Sequence, residues 1–184
     1  EVDGHSAPNA NGHLPLVDLD PAKPAVKDGP NNDYWDHVDY IVDKAQSLGM
    51  FTGFLPTWGR YWRDTSKDRR PIFTPQNAEV YGEWLGRRYK DKAIVWILGG
   101  DGDYRAEKAE KWKEIGRAVF PEGFPRRLVT LHPRGMQSPW PPLKDEPWVD
   151  FFMYQSGHGD DARKWRWQVT EGPAKDWPLT PAHP

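Results

Sequence analysis

The 184-residue sequence contains no cysteine, so disulfides, thiolate nucleophiles and thiolate metal ligands are all excluded. It has no apolar stretch near the ~20 residues a membrane-spanning helix needs. Charge of one sign is also missing as a block. The 25 basic and 27 acidic residues are spread along the chain for a net charge of -2, which argues against nucleic acid or a membrane surface as partner. The opening residues Glu1-Val2-Asp3-Gly4-His5 lack an initiator Met and the features of a signal peptide, so a processed product or a piece of a longer chain is expected. No Gly-rich phosphate fingerprint follows an apolar run, and no HExxH or HxH spacing occurs. Neither a cofactor nor a metal is therefore expected.

Large rings, by contrast, are abundant: 11 Trp, 7 Tyr and 7 Phe in a chain whose apolar fraction is 37%. Most should fill the core and the seams between helices and sheet. A minority fall at loop positions, where a ring with an apolar face suits the C–H face of a sugar. Trp58, Trp62 and Trp140 are the candidates for such stacking.

Residues 1–30 are dense in Asn, Gly, Asp and Pro and read as a long loop. Asn32-Asp33 then caps a run of Tyr34, Trp35, Val38, Ile41, Val42, Ala45 and Leu48 at three- and four-residue spacing, closed by Gly49, which predicts an amphipathic helix. Met50 to Leu55 reads as a buried strand stopped by Pro56, and Thr57 to Phe73 as a polar, Arg-rich loop. Thr74-Pro75 starts a second helix carrying Ala78, Tyr81, Trp84, Leu85 and Tyr89. Ala93 to Leu98 is an unbroken apolar strand that ends at Gly99-Gly100-Asp101. A third helix is expected from Ala106 to Val119, strands at Leu128 to His132 and Val149 to Gln155, and a last helix at Asp161 to Val169.

Helices alternating with apolar strands predict an α/β fold with a parallel sheet. Polar residues recur just past strand ends, at Thr57-Trp58, Asp101, His132, Gln155 and His158, as on the active face of a (β/α)8 TIM barrel. Such a barrel takes eight strands and about 250 residues. With about four strands, residues 1–184 are expected to be one partial domain, a truncated central portion of a barrel, whose open edges favour self-association. Asp101, behind two glycines, reads either as a carboxylate brought to the mouth of the sheet or as a turn residue; Asp103 is the better helix cap. His132 and His158 read as structural histidines or as members of one cleft with Asp101, while Gln155 and Ser156 offer neutral groups for sugar hydroxyls.

Several segments, in order and at matching spacing, resemble the apiosidase-like glycoside hydrolases: Gly12-His13-Leu14-Pro15, Asn32 to Asp39, Leu55-Pro56-Thr57-Trp58-Gly59, Asn77 to Gly82, Trp96-Ile97-Leu98-Gly99-Gly100-Asp101, Leu131-His132-Pro133 and Tyr154-Gln155-Ser156-Gly157-His158. The resemblance implies a (β/α)8 barrel, secreted or periplasmic, cleaving glycosidic bonds in pectic oligosaccharides or polysaccharides of plant cell walls. It makes Asp101 the acid/base; Trp58, Trp62, His132, Gln155, Ser156, His158 and His13 are the expected substrate contacts. The family's nucleophile is a Glu in a Gly-Glu-Pro type motif on a later strand. No Glu here matches it, Glu171 included, so that residue is expected beyond Pro184 and the chain by itself is expected to be inactive or impaired. Two other readings stay open: a non-catalytic carbohydrate-binding protein, and a metal-dependent hydrolase using His13, Asp18, Asp20, His132 and His158.

Overall fold

The computed structural model describes residues 7–62, 71–105, 107–121, 128–157, 162–172 and 175. Its first helix, α1 (Tyr34–Ser47), starts where the sequence supplies a reciprocal cap. Asp33 Oδ1 accepts from the Trp35 and Asp36 backbone N–H groups at 2.7 and 2.9 Å, and Asp36 returns the bond to the Asp33 N–H. The second Asp33 oxygen accepts from Lys27 N at 2.8 Å, which ties the preceding loop to the helix. That loop is not wholly irregular: an antiparallel bridge joins Leu16 to Pro24, and Leu16 is buried. At the other end Gly49 takes φ +75°, the left-handed turn that a side chain would oppose.

Burial opposes ionisation of Asp33. The N–H groups of Lys27, Asp36 and Trp35, with the Arg88 charge nearby, outweigh it and hold the carboxyl below its ordinary 3.8. A group with a depressed folded-state pKa stabilises fully above its unfolded value and loses that contribution as pH falls through the folded one. Asp33→Ala should therefore cost about 1–2 kcal/mol at pH 7, and the gap to the parent should shrink below pH 3.8. Urea unfolding at pH 7 and pH 3 measures both; an equal gap at the two pH values would refute the cap as its source.

Three parallel strands follow: β1 (Thr52–Phe54), β2 (Ile94–Gly102) and β3 (Val129–Pro133), ordered β1-β2-β3. Helix α2 (Pro75–Tyr89) connects the first pair and α3 (Glu107–Val119) the second. Thr74 and Asn77 form the cap of α2 in the same reciprocal manner as at α1. Ile94, Trp96 and Leu98 of β2 are buried in the aromatic core with Tyr81, Leu85, Trp112 and Ile115, while Val95 and Ile97, on the opposite face, are half-buried. Arg88 grips Asp39 through two bonds of 3.0 and 2.7 Å and fastens α2 to α1. Helices α2 and α3 cross so closely that a Cβ on Gly82 would lie 2.3 Å from the Val119 carbonyl oxygen.

Two expectations need correction. The described residues contain three strands, not four: the segment 149–155 is not part of the sheet. The Asp150 side chain accepts the Val129 N–H at 2.8 Å, in place of a backbone carbonyl, and Asp150 N donates to Val129 O at 2.9 Å. At its end Gln155 O accepts from Met136 N, just past β3, at 3.0 Å. Just upstream, Trp148 is buried over Gly116 of α3, where a Cβ would come within 2.0 Å of its ring. The second correction concerns β2, which does not stop at Leu98 but runs through Gly102. A short helix, α4 (Trp140–Leu143), occupies the Pro-rich connection, and α5 (Ala162–Thr170) comes last.

Candidate active site

The ladder between β2 and β3 pairs Gly99 with His132 and then jumps to Gly102 with Pro133. Gly100 and Asp101 have no partners in that count and form a bulge. Its backbone runs through φ +91° at Gly99, +143° at Gly100 and +50° at Asp101. Glycine meets the first two values without strain, and Asp is among the side chains that best tolerate the third. The bulge turns the Asp101 side chain toward the strand ends, where it keeps 43% of its surface exposed.

Freed from the ladder, the Asp101 N–H donates to His132 Nδ1 at 3.1 Å. An accepting Nδ1 carries no proton, so the hydrogen-bond pattern assigns the imidazole proton to Nε2. His132 Nδ1 also lies 3.9 Å from Asp101 Oδ1, a contact that becomes an ion pair only if the ring is protonated. On the carboxylate itself, Gln155 Nε2 donates to Oδ1 at 2.6 Å and bonds the Pro133 carbonyl as well. That amide fixes the rotation of the carboxylate. Gln155 is in turn held by a close backbone approach: a Cβ on Gly135 would lie 2.6 Å from Gly157 Cα, so only glycine lets the two loops meet.

Trp58, just past β1, supplies a wall. A Cβ on Gly100 would sit 2.3–2.8 Å from three adjacent atoms of the indole, so the ring lies on the bare glycine backbone. The indole and the His132 ring have centroids 5.7 Å apart. Trp58 also borders a hollow of about 200 Å³ shared with Tyr34, Tyr61 and Phe54. Asp103, by contrast, is buried and serves the structure. Its oxygens bind Arg105 at 2.9 and 3.0 Å and Lys108 at 2.9 Å, and the Arg105 side-chain bond leads the causes that hold its carboxyl far below the usual range. It also accepts the Arg105 N–H at 3.3 Å, a turn role.

The remaining candidates are scattered. Trp62 is 3% exposed and stacked on Phe73 with centroids 4.2 Å apart, a core ring and not a surface platform. Trp140 packs edge-on against Phe152. His13 sits in the N-terminal loop, its N–H bonded to Asn9 Oδ1 at 3.0 Å and its Nδ1 buried without a hydrogen-bond partner among the described residues. Ser156 is half-buried beside Gln155, and His158 lies outside the described residues. Asp20 is used locally, accepting from Ala22 N and pairing with Lys23 at 3.1 Å, and Asp18 is exposed. Among the described residues no group of three His, Asp or Glu side chains converges as metal ligands would. Arg60 lies 5.1 Å over the ring of its neighbour Tyr61.

No curated protein matches the chain. Solved structures do, two glycoside hydrolases among them. One is titled a glycoside hydrolase, with 29% identity and TM-score 0.67 over 82% of this chain and 32% of its own. The other is titled a glycoside hydrolase family 5 from Bacteroides vulgatus ATCC 8482, with 29% identity and TM-score 0.73 over 96% of this chain and 38% of its own. The chain thus spans about a third of the length of these structures. A family model, the apiosidase-like catalytic domain, matches residues 1–184. With its parallel β/α units and a bulge-borne aspartate at their strand ends, this chain belongs to the apiosidase-like catalytic-domain family.

Proposed function

We propose that the chain is the part of a glycoside hydrolase that carries its acid/base, Asp101, and that the substrate is a plant cell-wall glycan of the pectic type. The observation that carries this reading is the carboxylate raised on the bulge and fixed by Gln155 beside His132. A proton donor must be held at a defined angle to the leaving oxygen, and one amide bond to Oδ1 achieves that while much of the side chain stays exposed. Asp101 would protonate the glycosidic oxygen of the leaving group and, in a retaining reaction, take a proton from the incoming water afterwards. His132, with its proton on Nε2, would donate to a sugar hydroxyl, and Trp58 would stack on a sugar face. The family resemblance adds Ser156, His158 and His13 as further contacts.

A strand order that follows the sequence, with helical crossovers between parallel strands, suits an arc of a (β/α)8 barrel better than an open doubly wound sheet, whose order reverses. In that frame the second carboxylate would come from the further length that the matched structures possess. It would stand about 5–5.5 Å from Asp101 for retention, or farther for inversion. The test is incubation of the polypeptide, at its full encoded length, with aryl glycosides and pectic oligosaccharides, reading released sugar by chromatography. Release of a sugar is the expected result; no release from any of them would remove the hydrolase reading in favour of a carbohydrate-binding protein.

A further inference from the structure

The Asp101 carboxylate is held by two routes. Gln155 acts on it directly, at Oδ1. His132 acts on the backbone, where its Nδ1 accepts the Asp101 N–H at 3.1 Å. Both routes anchor to the same end of β3, because Gln155 Nε2 also bonds the carbonyl of Pro133, the residue after His132.

The backbone bond matters because the peptide it grips is easy to turn. His132 pairs with Gly99, the last residue before the ladder shifts, and the seam closes again where Arg134 N donates to Gly102 O at 2.9 Å. Between those closures lie Gly100, which has no Cβ to resist rotation, and Asp101, whose φ of +50° is less favourable than an ordinary negative value. Turning the Gly100–Asp101 peptide about its flanking bonds would relieve Asp101 and swing its carboxylate away from Gln155. The same turn would carry the N–H away from Nδ1 and leave it to find another acceptor, and a backbone donor left unpaired inside a protein is costly. The Trp58 indole lies on Gly100 with its centroid 5.7 Å from that of the imidazole, so it shields one side of the bond and raises its weight.

We propose that His132 is a positioning residue for the acid/base: by accepting the Asp101 N–H at Nδ1 it locks the Gly100–Asp101 peptide in the orientation that aims the carboxylate at the leaving group. The name acid/base rests on the hydrolase reading; the lock on the peptide does not. The lock uses Nδ1 alone, so Nε2 stays available for a sugar hydroxyl, and the two roles separate by experiment.

The test uses the polypeptide at full encoded length. In nitrogen NMR of the isotopically labelled protein, His132 Nδ1 should be the unprotonated ring nitrogen and should show a scalar coupling to the Asp101 amide nitrogen across the hydrogen bond. His132→Phe should lower kcat/KM for alkyl glycosides about 10–100-fold more than for dinitrophenyl glycosides, whose leaving group needs no proton. His132→Asn, whose Oδ1 can accept in place of Nδ1, should bring that ratio back to within about threefold of the parent's. A lost Nε2 contact slows both substrate classes alike and cancels in the ratio. In the Asp101→Asn background His132→Phe should leave the ratio unchanged, since the group it positions is already gone. Thermal unfolding confirms that each variant folds. A protonated Nδ1 or an absent coupling in the parent would overturn the proposal without any variant. So would equal losses on the two substrate classes, or a change of ratio in the Asp101→Asn background as large as in the parent. The coupling in a polypeptide that hydrolyses neither class would remove the hydrolase reading and leave the lock on the peptide standing.

Discussion

Asp101→Asn should lower kcat/KM for glycoside hydrolysis by about two to four orders of magnitude, the usual worth of a positioned general acid/base. The substitution is chosen so that little else changes. Asn tolerates the left-handed backbone at φ +50° as Asp does, and its carbonyl oxygen can still accept from Gln155 Nε2. Thermal stability should therefore stay within about 1 kcal/mol of the parent, a typical limit for a half-exposed, nearly isosteric exchange. Substrates whose leaving group needs no protonation, such as dinitrophenyl glycosides, should suffer much less than alkyl glycosides. That contrast separates a lost proton donor from a distorted cleft. Turnover within about threefold of the parent on all substrates would show that the acid lies elsewhere.

The largest effect on stability is expected at Gly82→Ala. A Cβ at this position would meet the Val119 carbonyl oxygen at 2.3 Å and the Val119 Cα at 2.7 Å, and both are backbone atoms of α3 that no rotamer change can move. Helices α2 and α3 must part along their crossing, so the cost should reach about 3 kcal/mol or more, the upper end of overpacking effects. For a domain of this size that is a fall of roughly 6–12 °C in Tm. Gly53→Ala is the matched control: it meets only the flexible Ile97 Cδ1 at 3.1 Å, and should cost under about 1 kcal/mol. Equal Tm values for the two variants would mean that the close crossing of α2 and α3 is wrong.

The sequence was most legible where local chemistry decides the structure. Asn32-Asp33 and Thr74-Pro75 announce helix starts because the bonds that make the caps lie within three residues. The run from Ile94 to Leu98 was recognisable as a strand because its composition suits nothing else so well. Legibility failed where the partner is distant. Val149 to Gln155 has the apolar composition of a strand, but a strand needs a ladder, and the Asp150 carboxylate takes the Val129 N–H that would start one. The Arg-rich surroundings of Trp62 suggested an exposed ring, yet Phe73, eleven residues on, covers it.

The candidate site divides in the same way. Its residues were found by their place at strand ends, a signal that the resemblance reinforced. Their mutual arrangement was not: Gly99-Gly100 reads as a turn, and nothing in the sequence says that the ladder resumes at Gly102 and leaves two residues out of register. Nor does it say that Gln155, 54 residues away, holds the carboxylate. Such pairings depend on how three strand ends meet, which is a property of the sheet and not of any one segment.

The backbone of Asp101 lies in a region where glycine, free of a Cβ, would rest more easily by about 1 kcal/mol. The position thus sets two pressures against each other. Random substitution screened only for heat resistance should drift toward a run of four glycines from 99 to 102, and a lineage that had given up its chemistry would be free to follow. An aspartate kept at that spot against its own conformational preference is the mark that a working lineage would leave.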